Sequence, residues 1–93
     1  MLKITENLEN EKTVRIKLDG TVSVDTFNEL KHVLSIHRDS MERIMILDML
    51  GVDFMSEQPA RQLAALRSDR LRITNCSPFV EMLLGNISVE KGN

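Results

Sequence analysis

The sequence predicts an α/β domain in the order β-β-α-β-α-β-α, with a mixed sheet of four to five strands packed with helices. Three observations carry this. Apolar and polar residues alternate near the amino end, as in a half-buried hairpin. Ile44-Met45-Ile46-Leu47 is a continuous apolar run, as in a strand covered on both faces. Serine-capped amphipathic segments separate the later strands. A hairpin followed by two β-α-β crossovers makes a sheet that is parallel at its centre.

The first strand is read from Leu2, Ile4 and Leu8, and the second from Val14, Ile16 and Leu18, with Glu9-Asn10-Glu11-Lys12 as the turn. Asp19-Gly20-Thr21 closes the second strand and Ser23 caps a helix. Val24, Phe27, Leu30, Val33 and Leu34 form its apolar stripe, and it ends near Arg38 or Asp39. The central strand is interrupted by Asp48, and alternation resumes loosely through Val52 and Phe54. The interval after Asp48 is expected to be a short polar turn before a helix that starts at Ser56.

In that helix Ser56 is an N-cap, Glu57 an acid in the first turn, and Pro59 sits where its missing N–H costs nothing. Met55 and Ala60 occupy the staple positions. Ala60, Leu63, Ala64 and Leu66 form the buried side, and the helix ends near Arg67. Leu71 and Ile73 mark the next strand. Ser77-Pro78 starts a third helix with Phe79, Val80, Leu83 and Leu84 on its apolar face. Gly85 is expected to end it, leaving Ile87 and Val89 for a last short strand or for packing.

With 93 residues the chain reads as one domain over 1–93, with 1–12 as the amino-terminal strand and turn and 90–93 as a frayed tail. A formal charge of −2 argues against a dedicated nucleic-acid or membrane-surface binder. Arg61, Arg67, Arg70 and Arg72 fall within twelve residues, a solvated basic edge that would suit an acidic partner surface better than a nucleic acid. With only three aromatics, all Phe, no base-stacking platform is evident. Cys76 is the lone cysteine, which excludes an internal disulfide and fits a reducing compartment. No charged leader with an apolar core opens the sequence and no apolar run reaches membrane-spanning length, so a cytoplasmic protein without membrane insertion is expected.

No P-loop, dinucleotide fingerprint, metalloprotease His-Glu pair or nucleophile elbow is present, so neither an enzyme nor a cofactor is expected. His32 and His37 stand five residues apart and do not share a helix face, which disfavours a metal pair and makes them surface or boundary residues. The six methionines, four of them within 41–55, read as core filler.

The chain resembles a STAS domain, the fold of sulfate transporters and anti-sigma-factor antagonists. The resemblance rests on Val14 to Gly20 leading into the first helix, and on Ile46-Leu47-Asp48 with Gly51-Val52-Asp53-Phe54-Met55. Arg72-Ile73-Thr74-Asn75-Cys76-Ser77-Pro78 with Val80 and Leu83-Leu84 completes it. The short second helix is similar to a compact subgroup of stand-alone bacterial members. The family's switch motif, Asp-Ser-Ser-Gly or Asp-Ser-Thr-Gly, falls on Ser56-Glu57-Gln58-Pro59, so Glu57 occupies the phosphoacceptor position and has no hydroxyl.

Ser56-Glu57 has three readings: helix capping alone, a carboxylate standing in for a phosphoserine, or phosphorylation of Ser56 one position early. The resemblance implies a non-catalytic protein-binding regulator similar to an anti-sigma-factor antagonist. Its partner loop would comprise Ser56, Glu57, Gln58, Pro59 and Arg61. Asp48, Thr21, Ser23, Asn75 and Ser77 would support that loop, with turn formation or capping as their plain structural alternative. The implied partner is a kinase-fold anti-sigma factor. The alternative is a structural subunit of a lipid-transport ABC complex, docked on its ATPase, or of a larger STAS assembly. Exposed edge strands leave homodimerisation open.

Overall fold

The computed structural model describes residues 1–40 and 42–92. Four strands form one sheet in the order β1-β2-β3-β4: β1 (Leu2–Asn10), β2 (Thr13–Val22), β3 (Ile44–Met55) and β4 (Leu71–Thr74). β1 pairs antiparallel with β2, while β2–β3 and β3–β4 are parallel. Helices α1 (Val24–Ser35), α2 (Glu57–Leu66) and α3 (Pro78–Gly92) connect or follow them, and α1 runs on into a π-helical turn at Ile36–Ser40.

Alternation puts Val14, Ile16, Leu18 and Val22 of β2 on one face, where they are buried with Phe27, Leu30 and Leu34 of α1 and Ala60 and Leu63 of α2. Val80 and Leu84 of α3 join the same core. The opposite face of β2 carries Arg15, Lys17, Asp19 and Thr21. Met45, Met49 and Met55 are all in the core, consistent with the filler reading; Met41 lies outside the described residues.

Several expectations are corrected. The hairpin turn is only Glu11-Lys12, with the Asn10 side chain accepting the Lys12 N–H at 2.9 Å. Val24 is exposed, off the buried stripe of α1. The polar turn expected after Asp48 is absent: β3 is one strand to Met55, because β2 runs beside it as far as Val22. The register slips between Lys17 and Asp19 and again between Gly20 and Thr21, each slip adding one residue to β3. The buried apolar residues of β3 therefore fall at 45, 47 and 49, then at 52 and 55, which conceals a strand from any search for a period of two.

Gly85 does not end α3. A Cβ there would meet nothing within 4 Å, and no left-handed backbone is required of it, so it is an ordinary helical position. The helix includes 87 and 89, so no fifth strand forms among the described residues, and it continues through 90–92 of the expected tail; Asn93 lies outside the described residues.

Candidate functional site

The start of α2 stands at the carboxyl end of β3. Ser56 is fixed there by its backbone, its N–H donating to the Val22 carbonyl at 2.9 Å. Its hydroxyl makes no capping bond, contrary to the capping expectation, although its backbone is extended as an N-cap requires. Glu57 and Gln58 face solvent, while Pro59 and Ala60 turn into the core. Glu57 pairs with Arg61 one turn later at 2.7 Å, with the two side chains 65% and 59% exposed. The charge expected at the helix terminus is thus already offset by a cation on its own helix.

Thr21 and Ser23 flank this point through β2, whose last residue pairs with Met55. The Thr21 hydroxyl donates to Asp53 at 3.0 Å, and its carbonyl accepts from Thr26 Oγ1 at 2.9 Å. Ser23 is committed to α1: its Oγ accepts the Thr26 N–H and its own N–H donates to Thr26 Oγ1, a reciprocal capping box.

Asp48 and Asn75 lie elsewhere. β4 ends opposite Asp48, with Thr74 as the last paired residue, and β3 extends well beyond it. Seven strand residues separate Asp48 from Ser56, roughly 25 Å at extended rise. Asp48 is buried and accepts from Asn75 Nδ2 at 3.0 Å, the Leu50 N–H at 3.0 Å and Arg15 Nη1 at 2.9 Å. Burial alone would push this carboxyl up, but bonds from Asn75, Leu50 and Arg15 outweigh it and hold the pKa below the ordinary value. Arg15 also reaches Glu9 at 3.1 Å, and Glu9 foremost, with Asp48, raises its pKa against the effect of burial.

Asn75 adopts the left-handed backbone conformation (φ 58°) that turns the chain out of β4, and Ser77 Oγ caps α3 by accepting the Val80 N–H at 3.2 Å. The polar residues thus form two groups, Thr21-Ser23-Ser56-Glu57 and Asp48-Asn75-Arg15, rather than one loop. Burial first, then Glu81, pushes the Cys76 thiol up, and Arg67 only partly opposes this.

Two features had escaped sequence reading. Leu50, Phe54, Phe79 and Met82 are large exposed apolar side chains, and the Phe54 and Phe79 rings stack with centroids 5.7 Å apart, bringing the end of β3 against the start of α3. Apolar residues in predicted elements read as core, so nothing in the pattern set these apart. His37 is buried rather than at the surface. Its Nε2 meets the Glu6 carboxylate and its Nδ1 lies 3.4 Å from Arg43, which ties the π-helical turn to the edge strand. The lone apolar-side acid in β1, Glu6, was the available signal.

Among the described residues no group of three or more His, Cys, Asp or Glu could hold a metal ion, and no helix is long and apolar enough to cross a membrane. No protein-family model matches the sequence, and no curated protein matches it. Solved structures do. The chain is similar to the anti-sigma factor antagonist SpoIIAA in its unphosphorylated form, with a TM-score of 0.72 and 18% identity, over 96% of this chain and 84% of that one. It is also similar to a DUF3478-family protein with a SpoIIAA-like fold from Shewanella loihica PV-4, with a TM-score of 0.57 and 12% identity, over 87% of this chain and 72% of that one. At such identities the likeness carries architecture alone, and on it this chain has the SpoIIAA-like fold of STAS domains.

Proposed function

We propose that this chain is a non-catalytic, cytoplasmic protein-binding regulator of the anti-sigma-factor-antagonist type, with a small kinase-fold anti-sigma factor as its partner. The observation that carries the reading is the start of α2 on a SpoIIAA-like fold: Glu57 and Gln58 face solvent at the end of the longest strand. Contact would come from Ser56, Glu57, Gln58 and Arg61, with Pro59 anchoring the turn in the core. Thr21 and Ser23 hold the adjoining strand end, and Asp48, Asn75 and Ser77 set the geometry of the β4 exit.

In this reading Glu57 stands where the resemblance places the phosphoacceptor, so binding is not toggled there by phosphate. Its ion pair with Arg61 makes it a weak stand-in for a phosphoserine, which would add about −1.5 to −2 charges. The test is to titrate the chain against the kinase-fold anti-sigma factor of its own genome, then record its intact mass after incubation with that partner and ATP. A complex that Glu57→Lys weakens, with no mass increase, is the expected result. Stoichiometric phosphate on Ser56 would sink the unswitched reading, and an affinity unchanged in Glu57→Lys would remove the α2 start from the interface.

One observation favours the second reading, a structural subunit docked on an ABC-transporter ATPase or on another STAS copy. Leu50, Phe54, Phe79 and Met82 expose apolar surface beside the same strand end, as lasting interfaces do. Dimerisation through the open edge of β1 belongs to this reading as well.

A further inference from the structure

We propose that the cavity at the opposite end of the sheet binds a compact phosphate polyanion, of diphosphate type. The cavity has a volume of about 460 Å³ and is lined by Lys12, Glu42, Ile44, Asp69, Arg70 and Arg72. Its walls come from the starts of three strands: Lys12 precedes β2, Ile44 opens β3, and Asp69 and Arg70 precede β4. Main-chain bonds lock these segments together. The Ile44 N–H donates to the Lys12 carbonyl and the Met45 N–H to the Arg70 carbonyl, each at 2.7 Å. The Arg70 N–H in turn donates to Ser68 Oγ at 3.1 Å, which fixes the turn that presents Arg70.

Charge on this frame is unsatisfied. Neither Lys12, Arg70 nor Arg72 forms an ion pair with any described carboxylate, although Glu42 and Asp69 line the same cavity. Three cations around a concavity match an anion with several acceptor oxygens, and arginine is suited to phosphate. The two carboxylates decide the size. An extended acidic surface laid across the rim would meet Glu42 and Asp69, whereas a small diphosphate can sit between the cations. Ile44, half-buried, is the one apolar residue among those that line the cavity.

Isothermal titration of the intact chain with inorganic pyrophosphate at physiological salt tests this. One saturable site is expected, weakened about tenfold by Arg70→Gln and by Arg72→Gln, the loss that follows from removing one charged hydrogen-bonding partner. Glu42→Gln should tighten it. Lys17→Gln, an exposed cation on β2 that does not line the cavity, should leave it unchanged. Absence of saturable heat overturns the proposal. So does an equal loss in Lys17→Gln, which would mean diffuse attraction to surface charge. All four side chains are exposed or on the rim, and circular dichroism verifies that each variant is folded.

Discussion

Asp48 shows how one side chain can be costly or stabilising according to its partners. It is buried in the middle of β3, yet its carboxylate accepts from Asn75, Leu50 and Arg15, so both oxygens are satisfied. Removing it in Asp48→Ala strands these donors and should cost about 1–3 kcal/mol in urea unfolding at pH 7. Its pKa is lower folded than unfolded, so the unfolded chain binds the extra proton as pH falls. The stabilisation is therefore full above the unfolded value of about 4 and is lost as pH drops through the lower folded value. Unfolding curves between pH 5 and pH 2 should lose more stability in the wild type than in Asp48→Asn; parallel losses would remove Asp48 from the acid response. Gly51 is constrained differently. A Cβ there would overlap the Asp19 carboxylate and lie 2.7 Å from the Leu18 carbonyl, so Gly51→Ala should lower the unfolding midpoint despite favourable strand entropy.

At the scale of the element, three serines precede three helices, and the structure assigns them unequal work. Ser23 completes a capping box and Ser77 caps the Val80 N–H, whereas the Ser56 hydroxyl bonds nothing at its helix. Ser23→Ala and Ser77→Ala should each cost about 1 kcal/mol, and Ser56→Ala close to none, in denaturant melts of the three variants. A loss at Ser56 equal to that at Ser77 would restore it as a cap. The sequence signal for a cap is residue type and position, and both are satisfied at Ser56; hydroxyl direction is decided by packing. β3 teaches the converse. Its buried positions are regular in space, but two inserted residues shift the phase, and the chemical pattern alone reads as a loop.

For the whole molecule, the helices share one core with the sheet, and the polar groups lie apart, one at the start of α2 and one around Asp48 in the middle of β3. The stacked pair Phe54–Phe79 joins the end of β3 to the start of α3 and is half exposed. A surface pair of this kind contributes about 0.5–1.5 kcal/mol beyond its area, so Phe54→Ser should unfold only slightly more easily than wild type. If the apolar set is an interface, the same substitution should reduce partner or self-association by far more, measurable by sedimentation across a concentration series. Equal changes in stability and association would make the pair an ordinary structural contact.

The sequence by itself determined the order of elements, the helix starts, most of the buried stripes (Val24 and Phe79 excepted) and the resemblance to STAS domains, because these depend on local spacing and on residue types at short range. It also determined that position 57 carries a carboxylate and no hydroxyl. Tertiary structure decided what local spacing cannot encode. The register of β2 against β3 made one strand out of an apparent strand and turn, and the short β4 separated Asp48 and Asn75 from Ser56. Folding also brought His37 to Glu6 and set Lys12, Arg70 and Arg72 around one cavity. Each of these outcomes is a pairing between residues distant in sequence, fixed by which backbone groups bond across the sheet.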